Sequence, residues 1–350
     1  MKILLTGASG FIGQHLLPRL EQISEVCCLK NDLNHHIDIQ VEVKQANPDI
    51  VIHLAARTEV QKSFYEQISF SEVNYVGTVN LIETCRHLRK MPYFVFASTM
   101  EVYGWQPISD EVKKTGTYTT KVAFDEHTQP NPNAPYAVAK YGCEKYLEYA
   151  GRAYGLPWAS LRQTNSYGRK DNDFFVTEQI ISQMLKGNTC NLGYAEPYRN
   201  FIYINDLLDA WMAVIENRDK CKGNFYTIGP DDPRKIRHCA DYIAQQLNWI
   251  GKINWDTKEP RHGEIWWLNS NNNLLTSKTG WTPKKGNVAE PGLVGVAPGS
   301  GEIRIPPVSV CHQVSTIGHL LLPITSLYQI HASGLIGSPT VPKSLKLFKS

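Results

Sequence analysis

The sequence predicts an α/β fold, a Rossmann-type doubly wound parallel sheet with a smaller C-terminal α/β substrate domain. Two observations predict it. Short apolar runs alternate with helical segments through the first half of the chain, which is the pattern of successive βαβ units. A glycine-rich loop directly follows the first apolar run, where such a sheet turns into its first helix.

The strands and helices can be placed in order along the chain. Strands are expected at 3–6, 26–29, 50–55, 93–97, 158–161 and 201–203, and helices from Phe11, Val73, Tyr136, Phe175, Asp206 and Ile236. In the helix from Val73, apolar residues recur at steps of three and four, so one face packs on the sheet. Pro18 is expected to end or kink the first helix. Residues 105–133 and 269–281 are expected to be loops.

The expected Rossmann domain covers residues 1–165, and the sequence leaves open whether strands near 201–228 add to it. Residues 166–285 are expected to form mainly the substrate domain. Residues 286–350 are rich in Gly, Pro, Ser and Val and have no sustained periodicity. We therefore expect this last segment to be an atypical, irregular tail that carries no chemistry.

Composition excludes several classes of function. With 42% hydrophobic residues, 20% charged residues and a formal net charge of +3, the chain lacks the positive charge expected of a nucleic-acid-binding protein. No apolar run reaches the roughly 18 residues of a membrane span, and the N-terminus has no features of a signal peptide. The spacings of the eight cysteines match no zinc site or secreted disulfide framework. We expect reduced thiols, no metal and a cytoplasmic protein.

The segment TGASGFIG, residues 6–13, predicts a dinucleotide site. Gly7 allows a tight turn, Gly10 allows backbone amides to approach a pyrophosphate, and Gly13 allows the helix to pack closely on the strand. The backbone at Phe11 and Ile12 begins the helix, whose N-terminus attracts the anion. These residues are therefore expected to bind the cofactor.

Further cofactor contacts are expected at the ends of the next strands. A carboxylate at the end of the second strand favours NAD, whereas a basic residue there suits the 2′-phosphate of NADP. The chain has both types of residue at this place, so the sequence leaves NADP open. We favour NAD. The expected contacts are Lys30, Asp32, Asp38, Ile39, Leu54, Ala55, Ala56 and Asn74.

A catalytic group is predicted from Thr99, Tyr136 and Lys140. Tyr136 and Lys140 are four residues apart, so they share one face of a helix, and Thr99 follows an apolar strand at the edge where such sheets place their chemistry. The lysine and nicotinamide charges are expected to lower the phenol pKa from near 10 toward neutrality. Tyr136 would then accept a hydroxyl proton while Thr99 holds the oxygen, and Lys140 would also anchor the cofactor ribose.

These motifs together resemble an extended short-chain dehydrogenase/reductase, the NAD-dependent nucleotide-sugar epimerase/dehydratase family. The resemblance covers about residues 1–285 and rests on TGASGFIG, HLAA, STMEVYG, PYAVAK, LRQTNSYG, RNFIYIND and the stretch from RHGE to GW, in the family's order. It implies a nucleotide-sugar substrate and a homodimer formed through the helices from Val73 and Tyr136. It also implies that Asn165, Arg199 and Arg261 bind the sugar nucleotide, the arginines by gripping its diphosphate.

The resemblance further implies a 4-ketosugar intermediate, whose fate depends on Glu101. In the dehydratases of this family a carboxylate at this position removes the C5 proton, whereas the 4-epimerases usually have no acid there. Met100 departs from the dehydratases that carry an Asp at the middle position, because a thioether cannot donate a proton. We favour a dehydratase, with a UDP-sugar 4-epimerase as the alternative. A decarboxylase, a ketosugar reductase and a non-catalytic dinucleotide sensor are further alternatives.

Overall fold

The computed structural model describes residues 1–169, 174–259 and 261–284, with the strand residues 295–296 and 303–304. The strands are β1 Lys2–Thr6, β2 Glu25–Cys28, β3 Ile50–His53, β4 Tyr93–Thr99, β5 Trp158–Gln163, β6 Asn165–Tyr167, β7 Thr189–Asn191, β8 Tyr198–Arg199, β9 Phe201–Tyr203, β10 Asn224–Ile228, β11 Arg234–Lys235, β12 Lys252–Asn254, β13 Gly295–Val296 and β14 Ile303–Arg304. The helices are α1 Phe11–Glu21, α2 His36–Ala46, α3 Val60–Ser63, α4 Gln67–Ser71, α5 Gly77–Arg86, α6 Pro107–Thr115, α7 Pro135–Tyr154, α8 Val176–Lys186, α9 Ile204–Glu216, α10 Arg218–Cys221, α11 Ile236–Gln246 and α12 Asn273–Thr279.

Six parallel strands form the main sheet in the order β2-β1-β3-β4-β5-β10. Every residue of β3 and β4 is buried, as expected for parallel strands covered by helices on both faces. The direction of winding changes between β1 and β3, so a crevice opens beyond their carboxyl ends. The predicted fold class is confirmed, and β10 belongs to the main sheet.

Two apolar clusters cover the opposite faces of this sheet. One contains Leu16 and Leu20 of α1 with Leu207 and Trp211 of α9. The other contains the buried side chains of α2, α5 and α7, among them Ile39, Val43, Leu81, Ile82, Cys143 and Leu147. Because apolar side chains cover both faces of the sheet, polar groups can gather only at the ends of the strands, and the crevice lies at their carboxyl ends.

The second half of the chain adds small two-stranded sheets. Strand β6 pairs with β9 and β7 with β12, both in parallel, whereas β8 pairs with β11 and β13 with β14 in antiparallel fashion. The division of the chain at residue 165 stays a prediction. Apart from β13 and β14, the predicted tail lies outside the described residues.

The structure contains two helices in segments that the sequence predicts to be loops. The segment 105–133 contains α6, which has Pro107 in its first turn and ends at Gly116 in the left-handed conformation, with Ile108 and Val112 buried. The segment 269–281 contains α12, which buries Leu275. Both helices were missed because they are short and each buries only one or two apolar side chains.

Pro18 neither ends nor visibly shortens the first helix. Helix α1 continues to Glu21 with Pro18 inside it. Pro18 and Gln14 are both exposed, so water can serve the Gln14 carbonyl that loses its helical partner. Leu16 and Leu20, fully buried on either side of Pro18, hold the last turn on the sheet.

Candidate active site

The glycine loop leaves no room for a side chain at Gly7 or Gly13. Gly7 adopts a φ of +71°, and a Cβ there would lie 2.7 Å from the Ala55 nitrogen. A Cβ on Gly13 would lie 2.1 Å from the Gly7 carbonyl oxygen. Gly10 precedes α1, whose first N–H groups receive no side-chain cap, so they are free to bind an anion. The backbone therefore forms the cradle that a dinucleotide pyrophosphate requires.

A buried chain of hydrogen bonds supports this loop from below. The Thr6 hydroxyl accepts a bond from the Ala55 amide at 3.1 Å and lies 2.7 Å from His53 Nδ1. His53 Nε2 lies 2.8 Å from the Thr78 hydroxyl, which donates to the Asn74 carbonyl. Because the Thr78 proton is used, His53 Nε2 must donate to Thr78, and Nδ1 accepts from Thr6. His53 is therefore held neutral, and burial together with the Lys140 charge lowers its pKa to about 3.

Asn74 does not line the cavity beside the loop, although the sequence predicts it as a cofactor contact. It is fully buried, and its side chain accepts from the Arg57 amide at 2.8 Å and donates to the Arg57 carbonyl at 2.9 Å. Asn74 thus fixes the backbone that follows Ala55 and Ala56, which do line the cavity.

Asp38 and Ile39 are not among the residues around the cavity, so their predicted cofactor role stays a prediction. Both lie in α2, where Asp38 is exposed and Ile39 is fully buried in the core. Neither contributes to the cavity wall. The sequence pattern predicts no helix between the second and third strands, so it does not place these two residues in α2.

One cavity of about 800 Å³ joins the predicted cofactor and catalytic residues. Its walls come from the glycine loop, the turn after β2, the segment after β3, the end of β4, the start of α7 and the loop around β6. The predicted residues on its wall are Gly7, Gly10, Phe11, Ile12, Gly13, Lys30, Asp32, Leu54, Ala55, Ala56, Thr99, Glu101, Tyr136, Lys140 and Asn165. The cavity is large enough for an extended ligand.

The four predicted catalytic side chains meet at the carboxyl edge of the sheet. Tyr136 and Lys140 lie in the first two turns of α7. Lys140 Nζ donates to the Ala97 carbonyl at 2.8 Å and lies 4.7 Å from the centroid of the Phe96 ring. The Thr99 hydroxyl accepts from the Glu101 amide at 3.2 Å. Strand β4, the helical turn Met100–Tyr103 that follows it and helix α7 thereby fix the positions of all four groups.

Burial shifts the protonation of these groups. It lowers the pKa of Lys140 to about 8. It raises the pKa of Glu101, against the lowering effect of the Arg199 and Arg261 charges. Burial also raises the pKa of Tyr136, with a further increase from Glu101, whereas a hydrogen bond with Thr99 lowers it. A carboxyl group with a raised pKa in a cavity is typical of an acid or base catalyst.

The predicted lowering of the Tyr136 pKa is therefore not produced by the protein's own groups. Lys140 is engaged by the Ala97 carbonyl, and loss of solvation around the phenol is the largest influence on its pKa. A positive charge on a bound nicotinamide ring would act in the opposite direction, favouring the phenolate. That part of the expectation stays a prediction.

The two predicted substrate arginines are held by one carboxylate. Arg199 forms a nearly buried ion pair with Glu264 and donates to the Ile265 carbonyl at 2.6 Å. Arg261 Nε lies 3.7 Å from the other Glu264 oxygen and donates to Gln61 Oε1 at 3.0 Å. Neither arginine lines the cavity that contains Glu101, so their diphosphate role stays a prediction.

Arg169 is a cavity residue that was not singled out from the sequence. Its guanidinium lies 4.1 Å from the Phe11 ring centroid and 3.8 Å from the Phe175 ring centroid. It also forms an ion pair of 3.6 Å with Glu178 and lines the same cavity. The residue directly follows the motif LRQTNSYG, which was the available signal.

Comparison with known proteins identifies the family. The model of the NAD dependent epimerase/dehydratase family matches residues 3–229. The dTDP-D-glucose 4,6-dehydratase of Dictyostelium discoideum is 32% identical over 259 residues, 66% of this chain and 58% of the relative, so the chain spans less than two thirds of that protein. The dTDP-glucose 4,6-dehydratase of Salmonella typhimurium is 28% identical over 327 residues, 81% of this chain and 88% of the relative.

A solved structure agrees with the fold. The UDP-glucose 4-epimerase of Thermus thermophilus, determined in complex with NAD, superposes with a TM-score of 0.72 at 25% identity. The superposition covers 83% of this chain and 97% of the epimerase. The matched family model includes the glycine loop, the end of β4 and the start of α7. The chain therefore belongs to the NAD-dependent epimerase/dehydratase family.

Proposed function

We propose that the chain is an NAD-dependent nucleotide-sugar dehydratase that acts through a 4-ketosugar. The observation that carries this proposal is the Glu101 carboxyl, which lines one cavity with Thr99, Tyr136 and Lys140. A 4-epimerase has no step that needs this acid, whereas elimination of water needs a group that removes the C5 proton. The names of the Dictyostelium and Salmonella relatives support the same class of reaction.

The glycine loop and α1 fit the dinucleotide, and Tyr136 fits the role of the base. NAD⁺, when bound, takes up the hydride from the sugar C4 and later returns it. Tyr136 Oη would remove the proton of the C4 hydroxyl, with Thr99 holding the same oxygen. Lys140, whose pKa is about 8, is mostly charged at neutral pH and would anchor the cofactor ribose, whereas the positive charge of a bound nicotinamide ring would favour the phenolate.

Glu101 would act once C4 is a ketone. The adjacent carbonyl acidifies the C5–H bond, and the Glu101 carboxylate removes that proton. The same carboxyl would then return a proton to the C6 hydroxyl, which leaves as water while the C5–C6 double bond forms. Burial raises the pKa of Glu101, so the carboxyl group is easier to protonate than an ordinary glutamate, which suits a group that both takes and gives a proton.

Met100 is the observation that favours a 4-epimerase instead. This side chain is 1% exposed, lines the cavity and packs with Val102 and Tyr103, so no acid stands at the middle position of the turn. An epimerase needs only rotation of the ketosugar and return of hydride to its other face. The dehydratase proposal therefore requires Glu101 to protonate the leaving hydroxyl alone.

Asn165, Arg199 and Arg261 would bind the nucleotide-sugar. Asn165 lines the cavity next to the catalytic group. Arg261 is about one third exposed at its side chain, so a diphosphate could reach it. A guanidinium pairs with phosphate oxygens in a bidentate way. We expect the diphosphate to share the arginines with Glu264.

The test is mass spectrometry of UDP-, GDP-, CDP- and dTDP-hexoses incubated with the enzyme and NAD⁺. Loss of one water from a substrate would support the dehydratase. A new isomer of unchanged mass would establish an epimerase, and stoichiometric NADH would indicate a simple oxidoreductase. No change with any sugar would contradict the enzymatic proposal and favour the dinucleotide sensor.

Two matched variants assign the steps. Tyr136→Phe keeps the ring but removes the base. We expect its turnover to fall by on the order of a thousandfold or more. Glu101→Gln keeps the shape but removes the carboxylate, and we expect it to form NADH and the 4-ketosugar without losing water. Water loss by Glu101→Gln at the rate of the unmodified chain would overturn the role of Glu101. Circular dichroism of both variants checks that they fold.

We also propose a cytoplasmic homodimer. No helix in the described ranges is long and apolar enough to cross a membrane, and the seven cysteines of the described residues are free thiols, which fits a reducing compartment.

The proposed dimer contact lies on exposed apolar residues of neighbouring elements, which are Ile68, Tyr75, Val76 and Val138 of α7. Sedimentation should give a dimer, and Val138→Glu should shift it to monomer; a monomeric unmodified chain at micromolar concentration would contradict the proposal.

A further inference from the structure

The turn after β2 carries residues that give opposite indications of cofactor type. Lys30, Asn31 and Asp32 all line the dinucleotide cavity. Lys30 and Asp32 are exposed, so a cation and an anion both face this end of the cavity. Side-chain type alone therefore does not decide between NAD and NADP.

The backbone of this turn is held by a carboxylate from another element. Glu42 of α2 accepts hydrogen bonds from the Lys30 amide at 2.9 Å and from the Asn31 amide at 3.2 Å. It also accepts from the Asn31 side-chain nitrogen. Glu42 is half-buried, and its neighbour Val43 is fully buried in the core, so the helix fixes the carboxylate under the turn.

Three N–H donors from two successive residues make a concave anion site. Successive backbone amides that converge in this way bind phosphate groups in many proteins. Here the Glu42 carboxylate already occupies the donors. A ribose 2′-phosphate at the same turn would compete for these donors and would meet a fixed negative charge.

We propose that Glu42 selects NAD⁺ over NADP⁺ by acting as an internal anion in the place of the 2′-phosphate. This inference rests on the dinucleotide role of the cavity given under the proposed function, and adds the residue that determines specificity. Lys30 does not reverse the selection, because its amide is bound by Glu42 and its ammonium remains in solvent. The ribose hydroxyls of NAD⁺ are uncharged and do not repel the carboxylate.

The experiment is calorimetric titration of the full chain with NAD⁺ and NADP⁺, and with ADP and 2′,5′-ADP as probes of the adenosine end. The unmodified chain should bind NAD⁺ more tightly than NADP⁺ by at least about tenfold. Glu42→Ala should strengthen NADP⁺ and 2′,5′-ADP binding by about tenfold, since it frees the donors and leaves Lys30 nearby. Binding of NAD⁺ and ADP should change by only a few-fold.

Two further variants separate charge from the support of the turn. Glu42→Gln keeps one acceptor oxygen and removes the charge, so it should also favour NADP⁺, by less than Glu42→Ala. Asp32→Asn removes the other carboxylate of the turn and should shift the preference less than either. A larger shift with Asp32→Asn, or equal loss of both dinucleotides in Glu42→Ala, would overturn the proposal.

The outcome is independent of sugar turnover. Selective NAD⁺ binding that depends on Glu42, with no reaction of any sugar nucleotide, would leave this inference standing and remove the proposed function. Turnover of a sugar nucleotide with equal binding of NAD⁺ and NADP⁺ by the unmodified chain would support the proposed function and contradict the role of Glu42. If neither dinucleotide binds, the inference and the cofactor assignment both fail.

Discussion

The region that would bind the dinucleotide and the region that would bind the substrate diphosphate are built in different ways. At the dinucleotide end, Gly7 and Gly13 bring backbone atoms so close that a single added carbon would collide with the main chain. At the proposed substrate end, outside the wall of the cavity, Arg199, Arg261 and Glu264 form ion pairs between side chains. The first end is shaped by steric exclusion and the second by charge. We therefore expect them to respond differently to substitution.

The difference also lies in how far apart the partners are in sequence. Thr6 is joined by hydrogen bonds to His53 and Ala55, 47 and 49 residues away, within the first three strands of the sheet. Arg261 bonds to Gln61, 200 residues away. Local steric rules apply wherever the motif occurs, whereas a long-range charge pair exists only when the whole chain has folded.

The largest expected effect is at the dinucleotide end. Gly13→Ala places a Cβ about 2.1 Å from the Gly7 carbonyl, so the loop or α1 must move. We expect a cost of about 2–3 kcal/mol, roughly a hundredfold loss of NAD⁺ affinity in titration calorimetry. Gly193→Ala, which meets nothing within 4 Å, is the matched control. Unchanged affinity in Gly13→Ala would contradict the steric account of this end.

His53 gives the dinucleotide end a sensitivity to acid. Its folded pKa is about 3 and its ordinary value is 6.5, so the unfolded chain takes up the proton first. The stability due to neutral His53 is complete above about pH 6.5 and is lost as pH falls toward 3, by at most about 1.4 kcal/mol per pH unit. Urea unfolding at pH 7 and 5 should show this fall, and His53→Gln should have a smaller one. Equal pH dependence of both proteins would refute it.

Removing the charge of Glu264 should change the pH dependence of the reaction without preventing substrate binding. Glu264→Gln keeps an acceptor for Arg199 but removes a negative charge that raises the pKa of Glu101. The Glu101 pKa should fall, so the acid limb of the kcat/KM profile should move to lower pH. Measured KM should change by less than about tenfold, because both arginines keep their charge. An acid limb that stays in place would show that Glu264 does not act on Glu101.

The smallest effect is expected at Gly10. A Cβ there would lie 3.3 Å from the Gly7 carbonyl oxygen, a tight contact that a small shift relieves. Gly10→Ala should therefore weaken NAD⁺ binding by less than about tenfold. Comparison with Gly13→Ala in the same titration tests whether the distance to the backbone, rather than the motif itself, sets the effect. If Gly10→Ala loses as much NAD⁺ affinity as Gly13→Ala, the distance to the backbone does not set the effect.

Sequence patterns predicted the features that depend on neighbours along the chain. The strand, glycine loop and helix at residues 2–21 follow from apolar runs and glycine spacing, and Tyr136 and Lys140 share a helical face because of their four-residue step. The helical position of Asp38 and Ile39 was not predicted, because α2 was not recognised from the apolar pattern. Helices α6 and α12 were missed for a similar reason.

The sequence by itself determined the fold class, the position of the glycine loop and the identity of the groups at the end of β4 and the start of α7, since backbone sterics and helical periodicity act over a few residues. Only the tertiary structure decided which charges meet. Glu42 reaches the turn at Lys30, Glu264 pairs with Arg199, and Glu101 becomes partly buried. These outcomes depend on distances between elements and on exclusion of water, which the order of residues does not contain.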